Sequence, residues 1–86
     1  MGVEEIGEAS PLTVSEQLRQ AREAAGMTQA AVAEQLFLTE TYIRDMDSGD
    51  FHRLPKQAFV RGYLRSYARV VGLDGGQLVQ LYDEAF

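Results

Sequence analysis

His52 is the only histidine in the 86-residue sequence, and there is no cysteine. These two facts remove most of the side-chain chemistry that a small domain can carry. Thiolate zinc sites, cysteine nucleophiles and disulfides are excluded, and no histidine pair can form. His52 lies in a loop stretch with no second ligand near it, so a solvent-facing contact is its expected role. Ser10, Ser15, Ser48 and Ser66 have no histidine or lysine arranged to activate a hydroxyl. Gly75-Gly76 precedes a helical pattern, but no strand leads into it and no lysine follows, so it is not a phosphate loop. Asp83-Glu84 lies near a helix end, where the dipole opposes it slightly, and is not read as a catalytic pair. The sequence predicts no enzyme, no cofactor and no metal.

The residues that remain are arranged for contact rather than reaction. Lys56, Arg61, Arg65 and Arg69 share a stretch that holds no acid. At roughly 100° per residue, Val60, Leu64, Ala68 and Val71 form a deep apolar stripe. Arg61, Arg65 and Arg69 form a basic stripe on the far side, and Phe59, Tyr63 and Tyr67 an aromatic one along the other edge. Tyr67 is nearest the apolar centre and is expected in the core. Phe59 and Tyr63 lie at its margin, beside the small residues Gly62 and Ser66. Aromatics flanked by arginine and left uncrowded have the composition of a protein-binding hot spot. A mid-helix glycine costs about 1 kcal/mol against alanine, which points to close approach at Gly62 by another helix or by a partner.

Helices must position this edge, and their signals recur along the chain. Thr13-Val14-Ser15-Glu16 reads as a capping box opening a helix over about 14–25, with Val14, Leu18, Ala21 and Ala25 inward and Gly26 as its left-handed stop. Thr28 caps a second helix, with a Met27–Val32 staple and Val32, Ala33 and Leu36 inward. Thr39 caps a third, with a Leu38–Ile43 staple, Ile43 and Met46 inward and Gly49 closing it. Residues 50–55 form a connector whose Phe51 and Leu54 tuck under the domain. Pro55 suits the first turn of a fourth helix running to about Val71, with Gly72 beyond it. Asp74 to Gln77 reads as another capping box, with Leu73 and Leu78 as its staple, opening a fifth helix. No strand-like alternation occurs, so the fold is expected to be all-α, with residues 13–86 as one domain after a disordered acidic tail over 1–12. No apolar run approaches the ~18 residues of a membrane span, and the N-terminus lacks a signal-peptide pattern. The helix ending at Phe86 suggests a piece of a longer chain.

Gln29 to Ser48 resembles a helix-turn-helix of the Cro/repressor type, giving a five-helix domain of that class. Phe37 stands where DNA-binding members usually place glycine. As a DNA reader, the domain would use Gln29, Thr39, Thr41 and Arg44, with Glu40 and Asp45 beside them. Residues 27–50 hold five acids against Arg44 as the single cation. Phosphate neutralisation supplies most non-specific affinity for a duplex, and the whole chain carries a net charge of -5. These acids are expected on solvated faces, and nucleic acid is not the expected partner.

The stretch FVRGYLRSYARVVGL, residues 59–73, resembles the signature of RodZ-type bacterial cell-shape proteins. Residues 18–36 and the connector GDFHRLP, 49–55, resemble the same domain, so the likeness covers about 13–86. It implies the cytoplasmic helix-turn-helix domain of a single-pass inner-membrane protein. Such a domain binds the actin-like filament protein MreB and links it to other cell-elongation proteins. Membrane contact would come only through a segment beyond this chain. By motif position the filament-contacting aromatics fall on Phe59 and Tyr63. Arg61 and Arg65 are electrostatic candidates, since MreB-type filaments are acidic.

Overall fold

A computed structural model describes residues 12–86; the expected tail lies outside the described residues except for Leu12. Five α-helices follow: α1 (Val14–Ala24), α2 (Gln29–Leu36), α3 (Glu40–Ser48), α4 (Val60–Val71) and α5 (Gly75–Ala85). Short 3-10 turns at Phe51–Arg53 and Gln57–Phe59 separate α3 from α4, and no strand occurs among the described residues.

Local chemistry sets most boundaries. The Thr13 hydroxyl accepts the Glu16 N–H, and the Glu16 carboxylate accepts the Thr13 N–H at 2.8 Å. Those bonds hold the Glu16 carboxyl below the usual carboxylate range. Thr28 caps α2 by accepting the Ala31 N–H. Thr39 takes the extended N-cap conformation without a side-chain bond. The Asp74 carboxylate accepts the Gln77 N–H, but the return bond of the expected box is not formed. Gly26, Gly49 and Gly72 all end their helices at positive φ, the conformation that glycine adopts without a Cβ penalty.

Three expectations are corrected. The fourth α-helix begins at Val60 and not at Pro55. Leu54 is extended, as a residue before proline prefers, and Lys56 is also non-helical. The Gln57 amide then donates to the Phe51 and Leu54 carbonyls, each at 2.8 Å, and fixes the connector as a bend. Ala25 is exposed, because α1 ends at Ala24 and the chain turns away from the core. Leu36 is only half-buried, since it ends α2 at the rim of an open groove.

Helix α4 is the central element, packed against α5, α1 and α2. Its Val60, Leu64, Tyr67 and Ala68 are fully buried. Phe51 and Leu54 do tuck into the core. Gly75 lets α5 approach α4 closely: a Cβ there would stand 3.2 Å from the Arg65 Cα.

Candidate protein-interaction site

Two surfaces could carry function, the solvent side of α3 and the edge of α4. A buried polar cluster fixes one relative to the other. Asp47, 2% exposed, accepts from the Tyr67 hydroxyl at 2.6 Å, the Gln29 side-chain amide at 2.9 Å and the Arg22 Nε at 3.2 Å. Arg22 also donates to the Met27 carbonyl, and Arg19 to the Asp47 carbonyl. One carboxylate thus ties α1, α2, α3 and α4 together. Burial first, and then the hydrogen bond to Asp47 and its charge, push the Tyr67 phenol well above its usual range.

This cluster corrects one expectation. Asp47 is not on a solvated face: Ile43, Met46 and Asp47 share the i, i+3, i+4 face that points inward. Gln29 directs one side-chain N–H inward to Asp47, which leaves its second N–H and its carbonyl oxygen unengaged by that bond. Of the other residues considered for DNA, Thr39, Thr41 and Arg44 are exposed on or beside α3. Around them stand Glu34, Glu40, Asp45 and Asp50, each at least partly accessible.

The Tyr67 phenol also sets a pH dependence. Its pKa is raised in the folded state, so its stabilisation is complete below the unfolded value of about 10 and lost as pH rises beyond it. Urea unfolding at pH 8 to 11 should show stability falling above about pH 10. Tyr67→Phe should flatten that fall; an equal fall in the variant would assign it to other groups.

At the α4 edge the structure brings Phe59 and Tyr63 together along an open groove of about 610 Å³. Phe59 is 52% exposed. Tyr63 is half-buried and stands edge-on to Phe59 at 6.3 Å and to Tyr42 of α3 at 5.7 Å, a favourable aromatic geometry. Leu36 and Leu38 form the opposite wall, and Ala58, Gly62 and Ser66 leave the groove shallow. The charged residues lining it are Arg61 and Arg65. Arg61 pairs with Asp83 at 2.7 Å and lies over the Tyr82 ring, so its charge is partly spent within the fold. Arg65 makes no ion pair among the described residues, and Lys56 lies 5.9 Å from the centre of the Phe59 ring. Tyr67, as expected, belongs to the core.

Helix periodicity alone cannot supply the Leu36–Leu38 wall or the Tyr42 support for Tyr63, because these come from other elements. The one sequence signal for Leu38 is its place before the Thr39 cap. His52 is exposed in the first 3-10 turn.

The model of a helix-turn-helix domain family matches residues 17–78. The chain belongs to this helix-turn-helix family. A solved structure with the same fold is that of YmfM from Staphylococcus aureus, a proposed DNA-binding membrane protein. It is 29% identical, with a TM-score of 0.79 over 85% of this chain and 89% of that one. Within this helix-turn-helix domain no described helix is long and apolar enough to cross a membrane.

Proposed function

We propose that this domain is a cytoskeletal adaptor. It binds the actin-like filament protein MreB through the α4 edge. As the cytoplasmic domain of a single-pass bacterial inner-membrane protein, it links the filament to the wall-elongation machinery. The observation that carries the reading is Phe59, an aromatic half in solvent, at an open apolar groove with arginine beside it. The likeness of residues 59–73 to the RodZ-type signature supports the choice of partner. The membrane association proposed for YmfM agrees with an anchored parent protein. Co-sedimentation of Phe59→Ala and Tyr63→Ala variants with polymerised MreB tests the reading.

The description of YmfM also favours a second reading, binding of DNA. Its weakness lies in charge. The α3 side presents several carboxylates around Arg44. A duplex would meet repulsion where it needs phosphate neutralisation. No sequence-dependent duplex affinity is therefore expected at physiological salt. A titration giving sub-micromolar, sequence-dependent binding there would replace the adaptor reading with a regulator.

A further inference from the structure

Two residues, one in the α4 groove and one in the turn beside it, work against the fold that contains them. Gly62 lies inside α4, where glycine is among the poorest helix formers. Two explanations are open for it, a neighbouring helix or a partner. The first is absent: a Cβ built on Gly62 meets nothing within 4 Å among the described residues. Gly62 nevertheless lines the groove. Phe37 is the second. It ends α2 in the left-handed region at φ 58, the only non-glycine residue among those described with positive φ. That conformation suits glycine and strains a bulky residue. The ring recovers nothing by burial, since Phe37 is 94% exposed. Its chain neighbours Leu36 and Leu38 both line the same groove.

Each residue costs stability without an internal return; Gly62 lines the groove, and Phe37 lies between two residues that line it. Local choices that conflict with the fold are expected at functional sites. We propose that Gly62 and Phe37 belong to one docking surface: a protein partner lays its backbone across Gly62 and takes the Phe37 ring into an apolar pocket. The inference rests on the adaptor reading and extends its interface from α4 to the turn between α2 and α3. Charge indicates the partner's chemistry. The charged residues of the groove wall are Arg61 and Arg65, with no acid among the lining residues, so the partner is acidic where it meets the groove, while Glu34 and Glu40 beside the turn require an uncharged apolar pocket around the Phe37 ring.

The test uses two variants that should be more stable than the parent. Gly62→Ala should melt about 4–8 °C higher, and Phe37→Gly should also melt higher because glycine fits its φ. Both should bind polymerised MreB at least tenfold more weakly in co-sedimentation, alongside Phe59→Ala. Weaker binding by a more stable domain cannot be a folding defect. If Phe59→Ala loses binding while Gly62→Ala or Phe37→Gly pellets like the parent, the extended surface is wrong and the adaptor reading stands. If the parent does not pellet, or Phe59→Ala also pellets unchanged, both fall. A lower melting temperature in either variant would reveal an internal role and overturn the proposal. So would a solution dimer that Phe37→Gly dissociates, which would assign the face to a second copy of this chain.

Discussion

Asp47→Ala is expected to remove most of the domain's stability. The substitution leaves the Arg22 guanidinium, the Tyr67 hydroxyl and the Gln29 amide without their shared acceptor. Arg22 cannot simply turn to water, because its side chain is only 12% exposed. Breaking a buried pair by removing one partner typically costs about 3–5 kcal/mol. A domain this small has a total stability near the lower end of about 5–15 kcal/mol, so the loss is comparable to the whole. Asp47→Asn keeps an acceptor for Tyr67 but gives up the charge facing Arg22, and should fall between. Tyr67→Phe leaves the carboxylate with Gln29 and Arg22 and should cost less, about 1–3 kcal/mol. Urea melts followed by circular dichroism rank the three. A midpoint for Asp47→Ala within error of the parent would mean that water replaces the carboxylate and that the cluster does not hold the helices together.

The same cluster marks where local sequence signals suffice and where they stop. Caps and staples are local, so Thr13 with Glu16, Thr28 and Gly49 are legible in the sequence itself. The inward stripe of α4 is legible because one amphipathic period decides it, and Tyr67 falls where the stripe predicts. Asp47 escapes a sequence reading because an acid is assumed solvated unless a partner is known. Its partners lie on three other helices, at sequence separations that no window spans. The residues of the candidate site divide in the same way. Phe59 and Tyr63 share one helix edge and follow from spacing. Leu36 and Leu38 complete the groove from the end of α2 and the turn, Tyr42 of α3 supports the Tyr63 ring, and only tertiary packing brings them there. Arg61 shows the reverse error: its spacing implies a free cation, while α5 supplies Asp83 as its partner.

Specificity follows from the same packing. Asp47 joins α3 to α4 through Tyr67 and to α2 through Gln29, and the groove lies between Leu36 and Leu38 on one side and Phe59 and Tyr63 on the other. A pre-set groove avoids much of the ordering cost that a mobile segment incurs on association. It also separates the two faces by charge. The α4 groove presents arginine, while the solvent side of α3 presents carboxylates. An acidic partner approaching the molecule is steered to the first and repelled by the second.

Phe59→Ala and Tyr63→Ala should each abolish co-sedimentation with polymerised MreB. An exposed aromatic that fills a partner's pocket typically contributes about 2 kcal/mol or more. Its removal therefore weakens binding by about thirtyfold or more. The two variants differ in what they do to the fold, and that difference makes the pair informative. Phe59 is 52% exposed, so its truncation should leave the melting temperature nearly unchanged. Tyr63 packs edge-on against Tyr42 and Phe59, and its loss should lower the melting temperature modestly while most helical circular dichroism remains. Phe59→Ala is thus the cleaner probe of binding, and Tyr63→Ala reports the coupling of the groove to α3. Arg65→Ala should produce a smaller loss that shrinks as salt rises, because an exposed charge is screened over about 8–10 Å in ordinary buffers. Arg61→Ala should respond less to salt, since Asp83 already engages its guanidinium at 2.7 Å. Folded Phe59→Ala and Tyr63→Ala variants that pellet like the parent would remove the aromatic edge as the binding site. Loss of helix in Phe59→Ala would instead place that ring in the core, against its exposure here.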